Sequence, residues 1–249
     1  MKTYLALPYQ KGSKPQTLDI YTPDQAAEAI FVYFHGGGLT GGNSSGAGRY
    51  SQFLTDRKIA VVSCNYRLYP DAKYPDFIED AADAVAWVYQ NGPDFCGCNK
   101  VYVGGSSAGG YLSMMLCFNQ KYLKERGMSN ENIAGYFHDA GQPTSHFNVL
   151  KEMGKDSRRL IVDETAPLYY IGLEKSYPPM RFIVSDQDMQ NRYEQTMLVL
   201  STLKHFGYTG YDFQLMHGRH CAYCKADENG YSPLGEMFYD FYTRDTKNA

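Results

Sequence analysis

A serine with a glycine two positions away on either side stands in residues 104–110, GGSSAGG. The residues before it, 100–103, predict a strand, and those after it predict a helix. A Gly-x-Ser-x-Gly pattern at such a junction is typical of a sharp turn that exposes the serine hydroxyl at a helix N-terminus, where a developing anion is stabilised. We therefore interpret Ser107 as a candidate nucleophile. The alternative is a glycine-rich turn that binds a phosphate or no ligand.

A second glycine-rich segment, HGGG at residues 35–38, directly follows the apolar run 29–34. Backbone N–H groups without side-chain bulk suit the stabilisation of an oxyanion, because they are already aimed before charge develops. We expect the N–H groups of Gly37, Gly38 and Ala108 to act as these donors, and His35 to brace the loop. The alternative is a flexible surface loop.

Short apolar runs alternate with longer amphipathic ones along the chain. Strands are predicted at residues 17–21, 29–34, 59–64, 100–103, 133–137, 181–185 and 213–216. Helices are predicted at residues 77–90, stopped by Asn91-Gly92-Pro93, at 108–126, closed by Gly127, and at 191–206 and 234–242. This alternation predicts one α/β domain over residues 1–249, with a mainly parallel sheet and helices on both faces. Functional residues are expected beyond the carboxyl ends of the strands. Residues 141–179 have weak periodicity and are expected to form a cap-like excursion.

The composition excludes several classes of protein. Of the 249 residues, 43% are hydrophobic and 20% charged, which supports a large core and excludes global disorder. The net charge of -3 and the lack of a basic run argue against a nucleic-acid partner. The longest apolar run, 29–34, is far short of the ~20 residues that cross a bilayer, and residues 1–14 lack the apolar core of a signal peptide. We expect a cytoplasmic protein with no membrane partner.

The cysteine count is even, but a disulfide framework belongs to short secreted chains. The close pairs Cys96/Cys98 and Cys221/Cys224 match no zinc-finger spacing and are far apart in the sequence. We therefore expect reduced thiols rather than disulfides, and no metal site.

Together the two glycine motifs resemble the α/β-hydrolase superfamily, and within it the hormone-sensitive-lipase-like carboxylesterase branch. Residues 65–70, NYRLYP, are similar to that branch's Tyr-Arg-Leu-Ala-Pro box, and the resemblance is clear over residues 29–123. The chain departs from the family at Tyr69, which replaces the box alanine, and at Ser106, which replaces an aspartate. It departs again at Leu39, where the family has an aromatic residue. Only about thirty residues precede the HGGG motif, which leaves no room for an N-terminal helical cap and resembles the compact bacterial esterases.

The resemblance implies a Ser-acid-His triad in that chain order. The base is expected after the last strand, where His220 follows a glycine by two positions as in the family; His217 is the alternative. The acid is expected after the preceding strand, as Asp188, with Asp186 as the alternative. Either aspartate could instead cap the following helix. A histidine base must be neutral, so activity is expected to fall below about pH 6.

The implied function is that of a serine carboxylesterase acting on small-molecule, short-chain acyl esters without metal or organic cofactor. The alternatives are a carbohydrate acetyl esterase, a peptidase or amidase of the same fold, and a non-catalytic binding relative. The 23 tyrosines and 13 phenylalanines suggest an aromatic-lined cleft. Candidate lining residues are Leu39, Tyr69, Phe147 and Tyr169, and ordinary core packing is the alternative role for them.

Overall fold

A computed structural model describes residues 1–10, 16–225, 227 and 231–248 of the chain. The strands are β1 (Lys2–Pro8), β2 (Thr17–Thr22), β3 (Ala29–Phe34), β4 (Ile59–Cys64), β5 (Val101–Ser106), β6 (Ile133–Asp139), β7 (Met180–Gln187) and β8 (Tyr211–Arg219). They form one sheet in the order β1-β2-β4-β3-β5-β6-β7-β8. The β1–β2 and β2–β4 pairs are antiparallel and every other neighbouring pair is parallel. The predicted mainly parallel α/β sheet is confirmed.

Helices cover both faces of this sheet, as predicted. They are α1 (Gly48–Thr55), α2 (Asp76–Cys96), α3 (Ala108–Phe118), α4 (Lys121–Lys124), α5 (Phe147–Glu152), α6 (Arg192–His205) and α7 (Pro233–Asn248). Alternate residues of β3 enter different cores: Ile30 packs in the larger cluster with α2, α3 and α6, and Phe31 in the smaller one with α1 and α7. This alternation follows from the two-residue period of a strand. Among the described helices, none combines the length and apolar character needed to cross a lipid bilayer.

Three of the predicted helices differ from the structure, and one of them is α7, which continues to Asn248 instead of ending at residue 242. The α2 helix runs through Pro93 to Cys96. It is capped by Gly97, whose φ of 79° is left-handed and whose N–H donates to the Pro93 carbonyl. Pro93 has no N–H to donate within the helix, which disfavours a helix at this point. Tertiary packing holds the segment in place: a Cβ on the preceding Gly92 would lie 2.7 Å from Ile30 Cδ1 and 2.7 Å from the Cys98 carbonyl oxygen. The long helix predicted at 108–126 is instead divided into α3 and α4. The break is at Asn119, whose side chain accepts the Lys121 N–H and so competes with helical pairing.

Three elements have no counterpart in the sequence-based prediction: β1, α1 and α5. β1 is an edge strand whose residues are mostly exposed, so it lacks the continuous apolar run that marks the central strands. α1 begins in the glycine-rich stretch after the HGGG segment, and α5 has only six residues. Short or glycine-rich helices carry little periodic signal.

The three candidate triad residues occupy equivalent places on the sheet. Ser107 directly follows the last residue of β5, Asp188 that of β7, and His220 that of β8. The ends of β7 and β8 are themselves paired, with Gln187 opposite Arg219. Since the carboxyl ends of parallel strands lie along one edge of the sheet, the fold brings these three positions together.

Residues 141–179 connect β6 to β7 and contain α5 and a 3-10 turn at Pro167–Tyr170. The segment pairs with itself, because Ser145 N–H donates to the Ile161 carbonyl at 2.8 Å. It also contacts α3, because the Tyr111 hydroxyl donates to the Thr165 carbonyl at 2.8 Å. The single-domain and cap-like descriptions stay predictions.

Candidate active site

The turn between β5 and α3 is sharp, and its central residue is strained. Ser107 has φ 57° and ψ -113°, a conformation that non-glycine residues rarely adopt. Its N–H donates to the Asp139 carbonyl at 2.8 Å. A Cβ on Gly109 would lie 1.9 Å from the Phe34 carbonyl oxygen, and one on Gly105 would lie 2.6 Å from the same atom. The two glycines therefore let the helix approach β3 closely enough to expose the serine at its tip.

Ser107, His220 and Asp188 form a continuous hydrogen-bonded chain. The Ser107 Oγ lies 2.8 Å from His220 Nε2, and His220 Nδ1 lies 2.5 Å from Asp188 Oδ1. The Asp188 side chain is 1% exposed, and that of His220 is 24% exposed. The aspartate also accepts the Met189 N–H at 2.7 Å, which fixes the carboxylate in place. The arrangement can transfer a proton between the serine oxygen and the imidazole.

The electrostatic environment of this chain favours an ion pair. Burial raises the pKa of Asp188, but the hydrogen bonds from His220 and from backbone N–H groups outweigh it and hold the pKa below its usual value. Burial lowers the pKa of His220, but its hydrogen bonds to Asp188 and Cys221 outweigh this and raise the pKa above its usual value. The imidazolium is thus stabilised. As the pH falls, His220 is therefore protonated, and ceases to be a base, at a higher pH than the value of about 6 expected from the sequence.

The alternative base and acid pair with each other instead. His217 Nδ1 lies 2.8 Å from Asp186 Oδ2, and the His217 side chain is 91% exposed. The other oxygen of Asp186 accepts the Gly218 N–H at 2.8 Å. The contact with the Ser107 hydroxyl is made by His220 and not by this pair.

The HGGG loop lies against the serine turn. A Cβ on Gly36 would lie 3.2 Å from the Ser107 Cβ, so the loop passes directly beside the nucleophile candidate. Gly37 and Gly38 have φ values of 119° and 65°, in the region that favours glycine. The Asn148 side chain donates to the Gly38 carbonyl at 2.5 Å and orients that peptide.

The three expected oxyanion donors have N–H groups that are free to bind a ligand. In the part of the chain that the structure describes, the N–H groups of Gly37, Gly38 and Ala108 donate no hydrogen bond to another backbone group. Ala108 is the first residue of α3, where an N–H has no partner within the helix. His35 stacks on Tyr66, whose hydroxyl donates to the His35 carbonyl at 2.8 Å, so this histidine braces the loop.

A buried carboxylate beneath the serine turn was not identified from the sequence. Asp139 ends β6 and is fully buried, and it accepts hydrogen bonds from the hydroxyls of Ser106 and Tyr223. Burial raises the pKa of Asp139. Ser106 is at the position where the family has an aspartate. In this chain the carboxylate comes from Asp139 on the neighbouring strand β6. The position of Asp139, two residues after the predicted strand 133–137, was the available signal.

One group of possible metal ligands occurs in the residues that the structure describes. The ligand atoms of Asp139, Cys221 and Cys224 all lie within 4.8 Å of one another. Both Asp139 oxygens already accept hydrogen bonds, one from Tyr223 at 2.5 Å and one from the Cys224 thiol at 3.2 Å. The group is therefore a closed hydrogen-bonded cluster rather than an open set of ligands.

A cleft of about 380 Å³ lies between the segment 141–179 and the residues after β7, and one of its lining residues, Met189, directly follows Asp188. Phe147 lies on its wall, 3.5 Å from where a Gly38 Cβ would stand, and Met189 forms another part of the wall. The remaining lining is mostly polar and includes Gln142, Arg159 and Asn191. The lining of this cleft is thus less aromatic than the sequence suggested.

The other candidate lining residues do not border this cleft. Leu39 is 1% exposed and packs in the larger core, which corrects the expectation that it faces a cleft. Tyr69 is half-buried and its N–H donates to the Leu39 carbonyl. Tyr169 is 53% exposed and contacts the ring of Tyr170.

Comparison with known sequences finds a family and several partial relatives. The BD-FAE family model matches residues 18–150, just over half of the 249 residues. Esterase LipI of Mycobacterium tuberculosis is 38% identical over 96 residues, which are 38% of this chain and 30% of that protein. Carboxylic ester hydrolase LipN of the same organism is 35% identical over 119 residues, which are 46% of this chain and 31% of that protein. The matches thus span about 30% of the length of these curated relatives.

Solved structures resemble the chain over nearly its whole length. Esterase B from Lactobacillus Rhamnosis has a TM-score of 0.79 at 20% identity, covering 99% of this chain and 87% of that one. A truncated carbohydrate esterase from gut microbiota has a TM-score of 0.80 at 17% identity, covering 99% of this chain and 97% of that one. At such identities the likeness establishes the fold, which is that of the α/β-hydrolases.

Proposed function

Because the chain belongs to the BD-FAE family and has the α/β-hydrolase fold, we propose that it is a serine carboxylesterase that hydrolyses short-chain acyl esters. The observation that carries the proposal is the hydrogen-bonded chain from Ser107 through His220 to Asp188. LipI and LipN, which match 38% and 46% of this chain, are named as an esterase and a carboxylic ester hydrolase, in keeping with this activity.

Acylation begins at the hydroxyl of Ser107. The Ser107 Oγ attacks the ester carbonyl carbon while His220 Nε2, 2.8 Å away, takes its proton. Asp188 holds the imidazole in the tautomer with a proton on Nδ1 and stabilises the imidazolium, without itself being protonated. The buried, strongly hydrogen-bonded carboxylate suits that role, because it stays charged in the absence of water.

The oxyanion of the tetrahedral intermediate is bound by the N–H groups of Gly37, Gly38 and Ala108. Each such donor typically contributes about 3 kcal/mol to transition-state stabilisation. His220 then donates its proton to the leaving alcohol, and the acyl group stays on Ser107. Water, activated by the same imidazole, releases the acid and restores the free serine.

The cleft that Phe147 and Met189 line supports a small or polar substrate group. A volume of about 380 Å³ with Gln142, Arg159 and Asn191 on its walls suits short acyl chains or polar alcohols better than long alkyl chains. This polar lining favours a second candidate function, the removal of acyl groups from sugars. The structural likeness to a truncated carbohydrate esterase agrees with it in fold only.

The first test is hydrolysis of p-nitrophenyl esters from acetate to decanoate. Acetylated sugars and an acyl p-nitroanilide, which is an amide, are assayed beside them. We expect turnover of the short esters, and a loss of about 10^6-fold in kcat for Ser107→Ala. Faster turnover of acetylated sugars would support the second candidate. Turnover of the anilide alone would favour an amidase, and no turnover of any substrate would overturn both esterase functions.

The matched control uses the two histidines near the end of β8, His217 inside the strand and His220 directly after it. His220→Ala is expected to abolish hydrolysis, whereas His217→Ala removes an exposed imidazole 2.8 Å from Asp186 and is expected to retain it. Equal losses in the two variants would contradict the assignment of His220 as the base.

A further inference from the structure

Two cysteines lie within four residues after the candidate base along the chain. Cys221 and Cys224 bracket a single 3-10 turn, in which the Cys224 N–H donates to the Cys221 carbonyl at 3.0 Å. Their sulfur atoms lie within 4.8 Å of each other, and both residues are partly exposed. A turn of this kind brings the two Cα atoms within the range of about 4.4–6.8 Å that a disulfide spans.

The two thiols have different surroundings. The Cys221 Sγ lies 3.7 Å from His220 Nε2, the same nitrogen that contacts the Ser107 hydroxyl. The Cys224 Sγ lies 3.2 Å from the buried carboxylate of Asp139. An imidazole favours the thiolate of Cys221, whereas a buried carboxylate disfavours that of Cys224.

The pKa shifts agree with this asymmetry. The hydrogen bond from Cys224 and the neighbouring His220 lower the pKa of Cys221, against the effect of burial. The hydrogen bond to Cys221, burial and the charge of Asp139 all raise the pKa of Cys224. Cys221 is therefore the better attacking thiol, and Cys224 is the thiol that resolves the mixed disulfide.

A metal ion is a poorer occupant of the same cluster. A metal ion would have to share the Asp139 oxygens with the hydrogen bonds from Tyr223 and from Ser106, which lies directly before the nucleophile candidate. Joining the two sulfurs requires neither bond to break. The geometry thus favours chemistry between the thiols.

We propose that Cys221 and Cys224 form a reversible disulfide by exchange with a low-molecular-weight disulfide such as oxidised glutathione, and that this bond switches hydrolysis off. The regulatory part of the proposal rests on the proposed esterase function. Cys221 attacks one sulfur of the glutathione disulfide, whose S–S bond breaks, and one glutathione thiolate leaves with the Cys221 proton. Cys224 then attacks the Cys221 sulfur and releases a second glutathione, which takes the Cys224 proton. Two protein thiols are oxidised and one glutathione disulfide is reduced.

The bond acts on the site because Cys221 is adjacent to His220. Its formation draws the two sulfurs to about 2.05 Å from each other, and so displaces the Cys221 Sγ that now flanks His220 Nε2. It also removes the Cys224 thiol from its hydrogen bond to Asp139, whose carbonyl accepts the Ser107 N–H. A displacement of about 1 Å in a catalytic group can cost on the order of 100-fold in rate.

The thiol chemistry is tested without any activity assay. The reduced protein is equilibrated in glutathione buffers from fully reduced to fully oxidised, alkylated and digested with trypsin, which cuts after Arg219 and Lys225. In the oxidised buffers we expect the peptide 220–225 to carry no alkyl group and to be two hydrogen atoms lighter than its free dithiol form. The peptide 74–100 with Cys96 and Cys98 is the internal control. Because Cys96 is buried, its thiol is expected to escape oxidation and to be alkylated once the protein is denatured. A fully alkylated peptide 220–225 in oxidised glutathione overturns the proposal.

Two variants test the order of attack. Cys224→Ser is expected to retain glutathione as a mixed disulfide on Cys221, and Cys221→Ser is expected to bind none. Glutathione trapped on Cys224 in the second variant would contradict the assignment of Cys221 as the attacking thiol. The peptide map of the unaltered protein keeps the test valid if either variant fails to fold.

The switch is tested by rates of p-nitrophenyl acetate hydrolysis before oxidation, after it, and after reduction with dithiothreitol. We expect a loss of about tenfold or more on oxidation, recovered on reduction. The Cys221→Ser/Cys224→Ser variant, compared with its own reduced rate, is expected not to respond. A disulfide that leaves the rate unchanged overturns the switch. A reduced protein that hydrolyses no ester overturns the proposed function and the switch with it, while the peptide map still decides the thiol chemistry.

Discussion

His217 lies inside β8, whereas His220 is the first residue beyond its end at Arg219. The two imidazoles therefore meet different carboxylates: His217 pairs with Asp186 on the surface, and His220 pairs with Asp188. The same offset holds for the acids, because Asp186 lies within β7 and Asp188 directly follows it. One protein thus contains two His–Asp pairs of similar geometry, of which one reaches the serine.

The two aspartates give a first prediction. Asp188→Asn is expected to lower kcat by about 10^4-fold, because the amide favours the wrong imidazole tautomer and no longer stabilises the imidazolium. Asp186→Asn leaves the Ser107–His220 contact untouched and is expected to stay within about twofold of the unaltered protein. Both variants are measured with p-nitrophenyl acetate under saturating conditions. Similar losses in both would contradict a distinct role for Asp188.

The second prediction concerns pH. The base works only when neutral, so the acid limb of kcat/KM reports the pKa of His220 in the free enzyme. Asp188 and Cys221 raise that pKa above its usual value of about 6.5, so half-maximal activity is expected above about pH 6.5. Rates are measured from about pH 5 to about pH 10 with spontaneous hydrolysis subtracted. His217→Ala is expected to leave the limb in place, and a limb centred below about pH 6 in the unaltered protein would contradict the raised pKa.

The central strands were predictable from the sequence because their pattern is local. β3 and β4 match the predicted bounds 29–34 and 59–64, since both are continuous apolar runs and every residue in them is buried. β8 was predicted only at 213–216, and the structure extends it to Arg219. The last three residues of the strand, HGR at 217–219, are polar or glycine and are partly or fully exposed, so the apolar pattern ends before the strand does.

That shortfall explains why the sequence left two candidates for the base. The predicted strand 181–185 also ended too early, because β7 extends to Gln187, and this explains the two candidates for the acid. With β8 ending at Met216, both His217 and His220 would follow the strand, and only its true end separates them. Ser107 had no rival position for the nucleophile, because its turn is specified by adjacent glycines. Asp139 was missed, because its contacts with Ser106 and Tyr223 join residues far apart in the chain.

A third prediction tests the close approach at the serine turn. Gly109→Ala would place a Cβ 1.9 Å from the Phe34 carbonyl oxygen, so backbone must shift, and we expect a loss of about 1–3 kcal/mol or more in the free energy of unfolding. Gly210→Ala is the matched control, because no atom lies within 4 Å of its added Cβ. Urea unfolding measures both. A Gly109→Ala protein as stable as the control would refute the packing argument.

The last prediction concerns a residue that positions the oxyanion donors. The Asn148 side chain donates to the Gly38 carbonyl and so orients the peptide beside the serine. Asn148→Asp keeps the shape but replaces the donor by a carboxylate oxygen that faces the carbonyl oxygen. We expect kcat to fall by about tenfold or more with little change in KM, because the N–H groups of Gly37 and Gly38 act mainly on the transition state.

The control for this variant is Lys151→Ala on the same helix, whose side chain is exposed and which is expected to keep both constants. Unfolding is measured for both variants, since a general loss of stability would lower kcat through the fraction of folded protein. If Asn148→Asp raises KM while kcat stays unchanged, the side chain serves substrate binding rather than the oxyanion. An unchanged kcat and KM would mean that the HGGG loop holds its conformation without Asn148, through the turn in which Gly41 N–H donates to the Gly37 carbonyl.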